Sequence, residues 1–408
     1  TTGACARTSM SERHSSVAPE PGAVPTTAPS RLLYLDNYRI LLTILVILHH
    51  AALAYGGSGA WGFTEGATDS ASPYLLSFFM SAFFFLAGYF TPRSLDRKGT
   101  GRFVLDRLIR LGVPLIVYTL LVRNLNRCIL HVLVGNVPSR WVLGYDPDHL
   151  WFVQTLLVFS LLTVFVRILT GKHATRSHVL FEDRFPRNRT LLAATGVLAG
   201  LTFAVRIAMP VGRWFLRVQP AHFVHYVFSF TVGTLACRGK WLTHLSWRTG
   251  RRWGWVALGM APAFAVLFIS GGALESDANI ALFMGGLRWQ ALGYALWESV
   301  MVIAMNVFLI SLFGQRLNRS GTIAGPMAKG VYTVYIIHVT ILLAIQGLLY
   351  GVAIPSILKF VVAGAGGHVC RLSPCRGHPQ NTRHTTSPGI GMAAWIIAST
   401  LLLTRRAA

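Results

Sequence analysis

Tyr34-Leu-Asp-Asn-Tyr-Arg-Ile-Leu-Leu-Thr-Ile-Leu-Val-Ile-Leu-His-His-Ala51 decides how the rest of the chain is read. From Ile40 to Leu48 every residue but Thr43 is aliphatic, yet Asp36 and Arg39 stand before the run and His49 and His50 end it. An apolar helix of about 20 residues is what crosses a hydrocarbon core. Ionisable groups at that depth are costly and face a bundle interior or a cavity. The stretch therefore announces both a membrane span and the side chains that any chemistry in it would use.

The same pattern recurs outward from it. Leu75–Phe90, Leu150–Val166, Val256–Ser270 and Ala295–Phe313 are further apolar runs, several too long for buried soluble helices. Across 408 residues, 53% are hydrophobic and 12% charged, and the mean hydropathy is +0.52. These values predict an all-α, polytopic transmembrane bundle rather than two or three soluble domains. Spans are expected at about 35–55, 73–91, 111–133, 150–169, 191–209, 221–237, 253–271, 289–313, 331–351 and from about 353, ten in all.

The net charge of +23 would suit a nucleic-acid binder if it were gathered in one patch. Instead the basic residues lie between the apolar runs, which argues against nucleic acid as a partner. The loops after even-numbered spans hold 20 Lys and Arg, those after odd-numbered spans 4. The positive-inside rule converts that asymmetry into a cytoplasmic N-terminus, and ten spans return the C-terminus, with Arg405 and Arg406, to the same side. The expected location is the cell inner (plasma) membrane, spanned many times.

Residues 1–30, rich in Ala, Pro, Ser and Thr, read as a disordered tail. No cleavable signal peptide is expected before the first span, and Met10 is a plausible start that would make the first nine residues an overextension. Cys5, Cys128, Cys237, Cys370 and Cys375 are too scattered for a disulfide framework or a zinc site, and are read as free thiols; no metal is expected. Residues 366–391 change character, with His, Cys, Arg, Pro and Gln in a pattern found nowhere earlier, before a short hydrophobic piece at 392–408. That segment reads either as out-of-frame sequence or as a polar loop between two short hydrophobic pieces.

On the first helix, Arg39 and His50 are eleven residues apart, close to three turns, so they share a face about 16 Å apart. His49 points away from that face. Asp36 can pair with Arg39. His50 suits either a general base or a neutral imidazole bonded to a neighbouring helix. Arg123, Arg127 and His131, and Arg206, Arg213 and Arg217, lie near predicted outer ends of helices, where snorkelling to headgroups or an anionic ligand would each explain them. Glu298 and Asn306 suit interhelical hydrogen bonding or the orientation of a histidine. His222, His225 and His149 are expected near the outer surface. Gly56-Gly-Ser-Gly59 lacks the context of a nucleophile elbow, Asn188-Arg-Thr and Asn318-Arg-Ser fall in predicted cytoplasmic loops, and no phosphate-binding glycine loop with its lysine is present.

Asp36-x-x-Arg39 followed by His50 resembles the opening helix of the acyltransferase 3 family. Further elements keep that family's order: Phe83-Phe-Phe-Leu-Ala-Gly-Tyr89, Arg107-Leu-Ile-Arg110 with Pro114, His149-Leu-Trp-Phe152 and Tyr332-Thr-Val-Tyr-Ile-Ile-His338. Ala87 departs from the usual Ser. The resemblance spans residues 31–350 and implies a membrane acyltransferase domain over 31–365. It implies transfer from a cytoplasmic acyl-CoA, a co-substrate rather than a resident cofactor, to a hydroxyl of a carbohydrate, lipid or secondary metabolite, as in O-acetylation. His50 would be the base, acting directly or through an acyl-His intermediate, and Arg39 would hold the donor or stabilise developing charge. Arg107 and Arg110 would bind the phosphates of acyl-CoA. Asp36, His149, Trp151, Tyr335, His338 and Glu298 are secondary candidates. The alternatives are a carrier or flippase of a glycan or lipid precursor, and an inactive product of a damaged frame. No internal repeat of the kind carriers show is visible.

Overall fold

The computed structural model describes residues 32–55, 78–135, 141, 142, 144–171, 183–318 and 324–369, together with Thr1. The expected tail (Thr1 apart), Cys5, Cys370, Cys375, the sequence from 370 to 391 and the piece 392–408 lie outside the described residues. The chain divides at Leu32, and the unit that begins at Leu33 carries the helices.

No strand occurs among the described residues beyond a single bridge between Phe215 and Val218. The helices are α1 (Leu33–Tyr55), α2 (Phe78–Lys98), α3 (Thr100–Arg107), α4 (Val113–Val117), α5 (Arg123–Val134), α6 (Trp151–Thr170), α7 (Asn188–Ala208), α8 (Pro220–Arg238), α9 (Trp247–Ser270), α10 (Asp277–Met284), α11 (Trp289–Arg316), α12 (Ala324–Leu348) and α13 (Ser356–Val369). α3, α4 and α5 form one rod: the wider turns Leu108–Gly112 and Tyr118–Val122 join them with right-handed helical backbone at Arg107, Gly112, Val117 and Val122. Such widened turns are frequent at functional sites.

Among the described residues, six segments are long and apolar enough to cross a membrane by length and composition: Leu33–Tyr55, Asp148–Thr170, Asn188–Ala208, Trp247–Ser270, Trp289–Arg316 and Gly330–Leu348. The other four expected segments are also helical. α2 contains Pro92 and ends on Arg97 and Lys98, the rod is polar around Arg123–Arg127, α8 starts with Pro220 in its first turn, and α13 has 14 residues.

Leucines, isoleucines and valines point outward: Leu169, Leu258, Val266 and Ile269 are each more than half exposed. Water would penalise such a surface, whereas lipid does not. The interior is close-packed. α1, α5, α12 and α13 share a core of Ile47, Ala51, Leu130, Leu342, Leu343 and Ala363, and α9 meets α11 through Trp253, Ala257, Ile303 and Val307. α2 and α8 cross most closely. A side chain added to Gly88 would strike the Phe230 carbonyl, and one added to Gly233 the Phe85 carbonyl. Polar side chains tie helices to one another: Tyr38 donates to Asn306 Oδ1 at 3.3 Å, giving Asn306 an interhelical bond to α1. Cys128 and Cys237 are free thiols, as expected.

Candidate active site

The Tyr-x-x-Tyr-x-x-His element on α12 and the His-Leu-Trp-Phe element at the start of α6 converge on His50. Ring centroids of His50 and His338 are 4.8 Å apart, of His149 and His338 5.1 Å, and of His50 and His149 6.1 Å. The proton positions follow from the partners, because a carbonyl only accepts. His338 Nδ1 lies 2.7 Å from the Tyr335 carbonyl and so carries a proton, leaving Nε2 as an acceptor in the neutral ring. His50 Nδ1 lies 2.9 Å from the Val46 carbonyl and 3.3 Å from His338 Nε2, so its one N–H is shared between two acceptors. The basic lone pair of His50 then sits on Nε2.

The rest of the cluster holds this arrangement. His149 Nε2 donates to the Ile336 carbonyl at 3.2 Å, and the Tyr335 hydroxyl donates to the His149 carbonyl at 2.7 Å. Asp148 takes a left-handed backbone, φ 45°, and accepts from the Tyr118 hydroxyl at 2.9 Å. Tyr118 in turn stands edge-on to His149, 4.7 Å between ring centres. Asp148 and Tyr118 were not singled out in the sequence. The visible signal for them was their place beside His149 and in the span opened by Arg107.

Arg39 is not part of this cluster. Its guanidinium lies 4.3 Å above the Phe90 ring and 3.5 Å from Asp36, near the start of α1. Arg107 and Arg110 differ from each other. Arg110 is exposed and pairs with Asp106 at 2.8 Å, a carboxylate shared with Lys98. The Arg107 guanidinium stacks 4.8 Å from the Phe103 ring, and its Nε is buried without a hydrogen-bond partner among the described residues. Burial draws the Arg107 pKa down from the ordinary arginine value, while the Asp106 carboxylate acts the other way. An anion beside Arg107 would give its Nε a hydrogen-bond partner.

A cavity of 360 Å³ is lined by His49, Trp151, His222, His225, Tyr226 and Glu298 among others. Glu298 is 2% and Arg206 0% exposed; they pair at 2.5 Å, and the guanidinium also donates to the Ala221 carbonyl at 3.3 Å. His222 Nδ1 is 3.3 Å from Arg206 Nη2 and 3.6 Å from Glu298 Oε1, and His225 Nε2 is 3.5 Å from Ser299 Oγ. This corrects two expectations. Arg206 does not snorkel, because a buried carboxylate on α11 meets it. His225 is not a surface residue: it is buried and lines the same cavity as Val211, Gly212, Trp214 and Val218 of the preceding loop. His49 faces the cavity with its ring 5.6 Å from Phe79, and the outward group Arg123 and Arg217 pairs with Asp146 at 3.3 and 3.5 Å. A charge at the end of an apolar helix was the sequence signal for Arg206; its partner 92 residues on was not legible.

No group of His, Cys, Asp and Glu able to hold a metal occurs among the described residues. A family model described as an acyltransferase domain matches residues 32–370 and so takes in α1 through α13. Neither the curated proteins nor the solved structures give a match. With most of the chain matched, the chain belongs to the acyltransferase 3 family, as a multi-pass membrane enzyme that transfers an acyl group other than an aminoacyl group.

Proposed function

We propose that this acyltransferase moves the acyl group of acyl-CoA to a hydroxyl of a carbohydrate, lipid or secondary-metabolite acceptor, with His50 as general base. The observation that carries the reading is the shared Nδ1–H of His50, anchored on the Val46 carbonyl and on His338, which leaves the basic lone pair on Nε2. Nε2 takes the proton of the acceptor hydroxyl as its oxygen attacks the thioester carbonyl. The tetrahedral intermediate expels the thiolate, which recovers the proton from the imidazolium, so ester and coenzyme A thiol leave and His50 is neutral again. Direct transfer is the simpler course, since a second imidazole already balances Nδ1.

Arg107 holds the phosphates of the donor, its buried Nε lacking any partner among the described residues. Arg39, about three turns from His50 along α1 and so about 16 Å away, supports the donor's polar end rather than the reacting carbonyl. Asp36 steadies Arg39, and His149, Tyr335 and His338 steady the base. Ten spans, a cytoplasmic N-terminus and the plasma membrane fit the distribution of basic residues. The membrane domain runs from 31 to about 365, with the tail before it and the altered sequence after it outside the catalytic unit.

The test is turnover of an acyl-CoA panel by the purified protein in lipid nanodiscs, read as free thiol release with glycan, lipid and metabolite acceptors. Release that depends on acceptor and is abolished in a folded His50→Ala variant supports the assignment. An acyl-CoA panel that is neither bound nor turned over, or a His50→Ala variant with full activity, overturns it.

A further inference from the structure

Between α6 and α8 lies a groove that has no role in the scheme above. The two helices meet through aromatic rings, the Phe159 centre lying 5.1 Å from that of Phe230 and 5.5 Å from that of Phe223. From this contact to the C-terminal ends of both helices a cavity of 390 Å³ separates them, with Pro92 and Leu95 of α2 also in its lining. Leu162 and Val166 on one wall and Val227 on the other are exposed, so the groove opens sideways onto the surface that faces lipid.

Its two ends differ in chemistry. Threonines interrupt the apolar walls, but Thr163, Thr170 and Thr234 each donate to the carbonyl four residues back on their own helix, at 2.7, 2.7 and 3.1 Å. Their hydroxyl protons are already committed, and a hydrocarbon lying along the walls displaces no hydrogen bond. Charge is confined to the end away from the rings. Asp96, Arg167 and Arg238, in the last turns of α2, α6 and α8, are the ionised side chains among the described residues of the lining. Each arginine is eight residues from its ring, Arg167 from Phe159 and Arg238 from Phe230, about 12 Å along the helix axis. Arg167 pairs with Asp96 at 2.5 Å. Two guanidinium groups against one carboxylate leave a surplus of one positive charge.

An apolar trough closed by rings at one end, rimmed by a net positive charge at the other and open to the bilayer fits an amphiphile with a hydrocarbon chain and one negative charge on its head. A free phosphate would leave the trough unfilled, and a zwitterionic head would leave the surplus charge unanswered. We propose that this groove binds an anionic phospholipid of the leaflet in which α2, α6 and α8 end, one acyl chain lying against Phe159 and Phe230 and the phosphate between Arg167 and Arg238. The distribution of basic residues makes that the cytoplasmic leaflet, where anionic lipids are met by basic pockets between helices. Neither His50 nor Arg107 lines the groove, and the proposal stands whatever the acyl donor.

Native mass spectrometry of the purified protein in detergent, titrated with phosphatidylglycerol or phosphatidylcholine of matched chains, tests this. The first lipid bound is phosphatidylglycerol by about fivefold, the worth of one charge near the membrane surface. Arg238→Gln removes the surplus and brings the preference to about one. Asp96→Asn doubles the surplus and raises the preference about fivefold further, a gain that a purely structural Arg167–Asp96 bridge would not give. The Asp96 side chain is 55% exposed, and exposed pairs add little to stability, so this variant folds. Arg316→Gln, at the end of α11 and outside the groove, leaves the preference as it was. Val166→Trp fills the trough and weakens both lipids, which keeps the test open if Arg238→Gln does not fold. In nanodiscs, a phosphatidylglycerol with a photoreactive group in its chain labels 159–170 and 227–238, and Val166→Trp suppresses that label. Equal affinity for the two lipids, a preference lowered by Asp96→Asn or lost as much in Arg316→Gln as in Arg238→Gln, or label spread evenly over the outward helices overturns the proposal. Displacement of the lipid by glycerol 3-phosphate, which has the head and no chain, overturns it as well.

Discussion

His338 Nε2 lies 3.3 Å from His50 Nδ1, joining α12 to α1 across 288 residues of sequence. The bond uses the acceptor nitrogen of one imidazole to fix the proton of the other, so the two rings have different duties. His50 meets substrate, and His338 positions it. His50→Ala is expected to lower kcat by about 10²–10⁴-fold, the usual contribution of a general base. His338→Phe keeps the Val46 anchor and is expected to cost less, about 10-fold to 100-fold, with KM for donor and acceptor unchanged. Initial-rate kinetics separate the two cases, and a raised KM in His338→Phe would speak for a binding role instead.

The donor side makes a prediction about unequal arginines. Arg107 is partly buried with Nε unpaired among the described residues, while Arg110 is committed to Asp106. Arg107→Ala is expected to raise KM for acyl-CoA about tenfold, as loss of one charge-assisted hydrogen bond does. Arg110→Ala is expected to change it by no more than about twofold, since exposed ion pairs count for little. An acyl-pantetheine donor, which lacks the nucleotide phosphates, should be indifferent to Arg107→Ala, and sensitivity there would place Arg107 elsewhere.

Arg206 and Glu298 are paired with almost no exposed surface. Removing either partner leaves a buried charge, which typically costs about 3–5 kcal/mol. Glu298→Ala should therefore melt well below the wild type in detergent, while the double replacement Arg206→Met with Glu298→Met recovers most of the loss. A double variant no more stable than the single one would mean that the pair does more than cancel charge.

Gly88 and Gly196 give a matched pair of helix glycines. Gly196→Ala meets open space and should be neutral or stabilising by about 0.5–1 kcal/mol, because glycine has the larger conformational freedom to lose. Gly88→Ala pushes into the Phe230 carbonyl and should destabilise by about 1–3 kcal/mol, as overpacking does. Thermal melts of the two variants side by side test whether α2 and α8 cross as closely as described.

The ten-span topology is checked with single cysteines in a cysteine-free background. Lys240→Cys, after an even-numbered span, should react with a membrane-impermeant maleimide only after the cell is opened, and Arg213→Cys, after an odd-numbered one, in intact cells. The opposite pattern would invert the N-terminus.

Much of this was legible in the sequence because it is written in one dimension. Apolar length, the interruptions by charge and the Tyr-x-x-Tyr-x-x-His and His-Leu-Trp-Phe elements are local, and His50 stood out as an ionisable group in the first apolar helix. What was not legible is which helix lies against which. Arg206 read as a headgroup anchor or an anion ligand because Glu298 is on another helix, and His49 read as pointing away from the face of Arg39 and His50, which says nothing of the cavity it lines. Asp148 stood beside His149 in the sequence, but its left-handed backbone and its bond to Tyr118 exist only once α6 meets the rod.

The Arg206–Glu298 pair also constrains how the protein is made. α7 enters the bilayer with its guanidinium before α11 has been synthesised, because 92 residues separate the partners. In the interval Arg206 sits near the end of a span where an unpaired arginine is tolerated only by reaching toward the interface. Only once α11 is in place does Arg206 have its carboxylate partner, and Glu298 also stands in the lining of the cavity. A chain stopped before Glu298 thus leaves α7 marked by an unpaired cation, a feature by which an incomplete copy differs from a finished one.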